Sequence, residues 1–314
     1  MILSLLALKV VRVTQLPSYP ATPQPHPYAL SGDGRVVVGQ FAPGNAFVWR
    51  GSEISKFKPS PDQSVLDVYV QSTSQDGSIV VGKAKEAYRY NKAGGFQLLG
   101  KLEGDIDSFA YDVSADGSLV VGYSQADTFN RAFVWRKGKG MTEIPTPAEN
   151  TSSIALAVSA NGKVACGIST ADTTTRAFRT DFRLSELLPM GRNHTDSAAN
   201  DVSGDGSMIV GSVSGEASSN AVYWKNGQIF YLSNLGRDTA VAKCVSEDGV
   251  YIGGYCGNDA VLWHGKKVIR LDSVARGWTF ESVNGIAHVG KRVIVTGWGN
   301  HHGKDVGYYL VMNE

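Results

Sequence analysis

The chain has 314 residues, 30 of them basic and 29 acidic, with no stripe of either sign, which argues against nucleic acid as a partner. Hydrophobic residues make up 42% of it, and 36 glycines with few helix-like stretches point to a single all-β domain with a large core. Three cysteines cannot all pair within the chain and form no C-x-x-C, so neither a zinc site nor a redox pair is indicated; Cys166, Cys244 and Cys256 read as small apolar residues of strands.

In chain order, residues 1–8 are apolar but too short to cross a bilayer, and they lack the basic n-region and small-residue cleavage site of a signal peptide. Residues 1–10 are therefore read as a tail or the remnant of a signal, and residues 11–314 as one domain. Residues 11–16, followed by Pro17, look like an outer strand. From there six copies of one phrase punctuate the chain: Ser31-Gly-Asp-Gly, Ser74-Gln-Asp-Gly, Ser114-Ala-Asp-Gly, Ser159-Ala-Asn-Gly, Ser203-Gly-Asp-Gly and Ser246-Glu-Asp-Gly. A period near 43 residues marks a repeat protein.

Each phrase follows an extended segment (strand A, such as residues 109–113 or 241–245). It precedes a β-branched run that closes on Gly39, Gly82, Gly122, Gly167, Gly211 or Gly254 (strand B). These runs are apolar throughout, as expected of strands buried on both faces. Strand C carries Ala and an aromatic or apolar partner, as in residues 46–49, 132–135 and 260–263, and four of the six tryptophans are thereby explained as packing. A glycine- and lysine-bearing hairpin leads to a short strand D, such as residues 96–99, 141–144, 229–232 or 268–271. Four strands per repeat is one blade of a β-propeller.

After the sixth repeat, residues 283–287, 292–296 and 307–311 read as strands A, B and C, and the chain then stops one strand short. The N-terminal strand at 11–16 supplies the missing D strand. The sequence thus predicts an all-β, seven-bladed β-propeller of four-stranded antiparallel blades, closed by its N-terminal strand. Closure removes the exposed sheet edges that invite aggregation, and a closed ring is expected to stand as a monomer.

The pattern V-S-x-D-G-x-x-V-V-G followed by A-F-V-W, seen best at residues 113–122 and 132–135, resembles the HAF-type extracellular repeat over essentially the whole chain from residue 11 onward. Proteins with such repeats are mostly bacterial, often secreted or surface-exposed, and some are autotransporter passengers. The resemblance implies an extracellular or cell-surface location, and it brings no shared catalytic motif.

The Ser-x-Asp-Gly phrase itself reads as a structural turn, because Asp binds nearby backbone amides and Gly accepts positive φ. It does not match the Asp-box of sialidases, in which a residue separates Asp from Gly. No G-x-S-x-G, H-E-x-x-H, P-loop or dinucleotide fingerprint is present, and no cofactor or metal is expected. The adjacent His301 and His302 point apart on an extended segment and make a poor chelate.

The A–B and C–D hairpins emerge on one face of a propeller, the B–C loops and D–A crossovers on the other. The second set varies most between repeats, which singles out that face for function. Candidate ligand-binding residues there are Asp105, Asp107, His194, Asp196, Arg237, Asp238, Arg276, Trp278 and His301. Asp127 with Arg131, and Asp172 with Arg176, are expected to form salt bridges between neighbouring blades.

The leading reading is a non-catalytic extracytoplasmic module engaging a protein or glycan through this face. Two alternatives remain open: a propeller hydrolase or lyase acting on polysaccharide through carboxylates such as Asp105, Asp107, Asp196 and Asp238, and a structural passenger domain.

Overall fold

The computed structural model describes residues 8–19, 22–58, 67–147 and 150–314; residues 1–7 of the tail, and Pro20 and Ala21 of the first crossover, lie outside the described residues. β1 (Lys9–Gln15) leads into blade 1, formed by β2 (His26–Leu30), β3 (Val36–Ala42), β4 (Asn45–Arg50) and β5 (Glu53–Lys56). Blade 2 holds β6 (Tyr69–Thr73), β7 (Ile79–Lys83), β8 (Ala87–Asn91) and β9 (Gly95–Leu98), and blade 3 holds β10 (Asp107–Val113), β11 (Leu119–Gln125), β12 (Asn130–Arg136) and β13 (Gly140–Glu143). Blade 4 comprises β14 (Ser152–Val158), β15 (Ala165–Ala171), β16 (Thr174–Thr180) and β17 (Ser185–Leu187). Blade 5 comprises β18 (Asp196–Val202), β19 (Met208–Ser214), β20 (Ser219–Lys225) and β21 (Gln228–Tyr231). Blade 6 runs through β22 (Ala240–Val245), β23 (Tyr251–Cys256), β24 (Asp259–His264) and β25 (Lys267–Arg270), followed by a 3-10 turn, Leu271–Ser273.

Blade 7 has the longest strands, β26 (Trp278–Val289), β27 (Arg292–His301) and β28 (Lys304–Asn313), and β1 completes it in the order β1-β28-β27-β26. The pairing is antiparallel, with Val13 opposite Leu310 and Gln15 opposite Tyr308. The N-terminal strand therefore closes a ring of seven four-stranded antiparallel sheets.

The uniformly apolar B strands follow from this ring. Val37 packs with Leu16, Ile294 and Tyr309 of blade 7, while Val36 and Val38 face Val70, Val80 and Tyr88 of blade 2. Each junction between neighbouring blades has its own apolar cluster. Each aliphatic side chain fully buried there is worth about 1.5–3 kcal/mol.

The glycine that ends each B-strand run is fixed by a close approach. A Cβ on Gly122 would overlap the carbonyl oxygen of Phe109, and one on Gly82 that of Tyr69; Gly297 meets Ser282 in the same way.

The Ser-x-Asp-Gly phrase is a turn whose polar atoms satisfy one another. Ser114 Oγ donates to Asp116 Oδ1 at 2.8 Å and accepts the Leu119 N–H at 3.1 Å, and Asp116 Oδ1 accepts the Ser118 N–H at 2.9 Å. In blade 4 the Asn161 side-chain oxygen takes the same two bonds, from Ser159 Oγ at 2.8 Å and from the Lys163 N–H at 3.0 Å. An acceptor oxygen is all the turn needs, so Asn replaces Asp without changing the register. In blades 3 and 4 the B and C strands run on beyond the apolar runs, to Gln125 and Ala171, and restart at Asn130 and Thr174. Much of the loop face is therefore prolonged hairpin.

Candidate functional site

The first strand of each blade lies innermost, and each carries a β-bulge that pushes one residue out of the ladder. The register shifts between Pro27 and Ala29, Val70 and Ser72, Ala110 and Asp112, Ala155 and Ala157, Ala199 and Asp201, Ala242 and Cys244, and Val283 and Gly285. The residues so displaced, Tyr28, Gln71, Tyr111, Leu156, Asn200, Lys243 and Asn284, line a central channel of about 580 Å³. Bulges re-aim side chains, and here they supply one channel residue per blade.

The wall has two chemistries. On the side of blades 1 to 3, Tyr28 and Tyr111 flank the amide of Gln71, and Phe109 (5.0 Å from Tyr111), Tyr123 (6.0 Å) and Tyr69 (6.5 Å from Phe109) extend the aromatic surface towards the loop face. On the side of blades 5 to 7 polar groups predominate, beside Tyr255 of blade 6. Asn200 Nδ2 donates to the Ala242 carbonyl at 2.8 Å, Lys243 Nζ to Asn284 Oδ1 at 2.7 Å, and Asn284 Nδ2 to the Pro27 carbonyl at 2.9 Å. Burial lowers the Lys243 pKa.

The end nearest the Ser-x-Asp-Gly turns is narrow. Backbone bonds run from turn to turn around it, from Ala115 to Ala160 (3.1 Å), Asn161 to Gly204 (3.1 Å) and Gly204 to Glu247 (2.8 Å). Gln75 reaches across from blade 2 and, with its amide nitrogen turned towards blade 6, donates to Glu247 Oε2 at 3.0 Å. Both side chains crowd Gly32, where a Cβ would collide with them. Desolvation raises the Glu247 pKa.

Two carboxylates sit at the same repeat position just past the bulge. Asp112 accepts from Ser72 Oγ at 2.6 Å and from the Val158 N–H at 2.8 Å. Asp201 accepts from the Val202 N–H at 2.7 Å and from the Val245 N–H at 2.8 Å. Desolvation pushes Asp112 up to about 6, and desolvation reinforced by the charge of Asp112 pushes Asp201 up to about 7. Each joins its blade to the next.

None of the nine residues singled out from sequence lines this channel. Asp105 is buried and held by Arg131, whose Nη2 lies 2.7 Å from Oδ1, and Asp107 is paired with Lys83. Asp196 accepts from the Thr175 N–H and from Thr195 Oγ1, both at 2.8 Å. His194 Nε2 is 3.3 Å from Asn220 Nδ2, and Arg237 binds Asp259 at 3.2 Å. Asp238 and Arg276 are exposed. Only Trp278 and His301 come together, as cross-strand partners with rings stacked at 4.2 Å. Trp278 and His301 belong to strands rather than to a crossover and a loop, because blade 7 extends its sheet by several residues.

The expected Asp127–Arg131 and Asp172–Arg176 pairs do not form. Arg131 turns instead to Asp105 and Glu143 across its own blade, and Arg176 Nε is buried without a hydrogen-bond partner among the described residues. The three cysteines are free and buried.

Among the described residues no group of three or more His, Cys, Asp or Glu is placed to hold a metal ion, and no helix is long and apolar enough to cross a membrane. The channel residues escaped sequence reading because they lie inside strands. Their signal is the column three residues before each turn serine, where Tyr, Gln, Leu, Asn and Lys alternate.

The ring and its channel define a closed seven-bladed propeller. No protein-family model matches the chain, and no curated protein does. Among solved structures it is similar to a protein assigned as TolB from Agrobacterium tumefaciens, with 13% identity and a TM-score of 0.52 over 72% of this chain and 88% of that one. It is also similar to TolB from Acinetobacter baumannii, with 11% identity and a TM-score of 0.46 over 87% of this chain and 78% of that one. At such identity the first likeness speaks for the propeller fold alone.

Proposed function

We propose that the chain is a non-catalytic, extracytoplasmic binding module that engages a protein or glycan at the loop-face mouth of its channel. The observation that carries this reading is a channel wall that sets tyrosines (Tyr28, Tyr111 and Tyr255) beside amide and ammonium groups (Gln71, Asn200, Lys243 and Asn284), above an end narrowed by Gln75 and Glu247. Aromatic faces stack on sugar rings or side chains, while a few placed polar groups orient the ligand.

Of the carboxylates considered for a hydrolase, Asp105 and Asp107 are ion-paired, Asp196 accepts two hydrogen bonds and Asp238 is exposed; in the channel, all four oxygens of Asp112 and Asp201 accept hydrogen bonds from the protein. The resemblance to HAF-type repeats supports a location outside the cytoplasm.

The test sets the intact chain beside Tyr111→Ala, on a glycan array and in affinity capture from an envelope extract. A ligand held by the intact chain and weakened about tenfold by the variant is expected, the size of a lost stacking contact. A ligand held equally by both proteins would end this reading.

A further inference from the structure

On the opposite face, that of the A–B and C–D hairpins, a second cavity of about 630 Å³ opens at the seam between the N-terminal strand and blade 1. Four arginines line it from separate segments: Arg12 on β1, Arg35 beside the first turn, Arg50 at the end of β4 and Arg292 at the start of β27. Asp33 and Asp76 also reach it, but each engages Oδ1 within its own turn. Guanidinium groups thus outnumber carboxylates two to one. Trp49 and Tyr309 supply buried aromatic wall.

The repeat does not call for this charge. The positions matching Arg35 are Ser78, Ser118, Lys163, Ser207 and Val250, and those matching Arg50 are Asn91, Arg136, Asp181, Lys225 and His264. Arginine fills both positions in blade 1 and in none of these other five blades.

Two of the four arginines are fixed. Arg12 donates to Thr14 Oγ1 at 2.7 Å and to the Gly51 carbonyl at 3.2 Å, with its guanidinium 5.7 Å from the Tyr309 ring centre; Arg50 donates to the Gly77 carbonyl at 2.9 Å. The other two are held less firmly: the Arg292 side chain makes no hydrogen bond or ion pair among the described residues, and Arg35 makes one long ion pair, its Nε 3.9 Å from Asp33 Oδ2. Like charges gathered in one cavity repel, and a planar guanidinium with free N–H groups matches an oxyanion bidentately.

We propose that this seam cavity binds a small organic oxyanion, a phosphate or carboxylate group, held between the N-terminal strand and blade 1. Such a ligand bridges the closing strand to the ring and so stabilises the closed form.

Phenyl phosphate is the probe, titrated calorimetrically into the intact chain and into an Arg35→Ala/Arg292→Ala variant, with inorganic phosphate as competitor. Both arginines are exposed, and circular dichroism checks that the variant keeps its fold. The expected result is binding at millimolar concentration or tighter, displaced by inorganic phosphate and weakened at least tenfold in the variant, with a higher thermal midpoint only for the intact chain. No binding at that concentration, or equal binding by intact chain and variant, overturns the proposal.

Discussion

Asp201 of blade 5 accepts the backbone N–H of Val245 in blade 6 at 2.8 Å. Asp112 of blade 3 makes the same bond to Val158 of blade 4, also at 2.8 Å. The carboxylates act as stitches between neighbouring inner strands, at a repeat position where the other blades carry Ala29, Ser72, Ala157, Cys244 and Gly285. They also face the channel, and desolvation holds their protons well above the ordinary value of 3.8.

These two groups give stability a defined pH dependence. The unfolded chain releases both protons near the ordinary aspartate value, while the folded chain keeps them up to about 6 for Asp112 and about 7 for Asp201. Between those limits the folded state binds more protons, so their contribution falls as pH rises from about 4 to about 7 and is flat above. Asp116 and Asp205, whose pKa values backbone hydrogen bonds lower, act in the opposite sense and only at more acid pH. Thermal midpoints measured across this window should vary less for Asp201→Asn than for the parent; equal slopes would show that Asp201 does not carry the effect.

Gly122→Ala should destabilise the protein by about 3–5 kcal/mol, because its Cβ has nowhere to go except into the Phe109 carbonyl. Gly138→Ala, at a φ of +78 in a hairpin with nothing within 4 Å, should cost only about 1–2 kcal/mol. Denaturant titration of the two variants separates close approach from backbone strain, and similar midpoints would contradict the close-approach account.

Deleting residues 1–16 should strip β28 of its partner strand and remove Leu16 from the junction with blade 1. The expected result is a large loss of thermal stability with concentration-dependent association through the freed edge. Calorimetry together with light scattering reads both. A truncated chain that melts like the intact one and stays monodisperse would mean that the ring does not depend on its closing strand.

The sequence by itself determined the ring. A repeating Ser-x-Asp-Gly turn, a glycine at fixed spacing and apolar runs suited to two buried faces are local requirements, so they recur in the chain and can be read from it. The missing seventh D strand was legible for the same reason, since residues 11–16 have the character of the other D strands. What the tertiary structure alone decided is which side chains meet. Trp278 finds His301 because blade 7 extends its strands. Arg131 finds Asp105 rather than Asp127, and Tyr111, Asn200 and Lys243 come to face one channel although they are dozens of residues apart. A bulge adds one residue to a strand without altering its apolar pattern, so the inner wall is set by backbone geometry and ring closure, which no stretch of sequence shorter than the whole circle specifies.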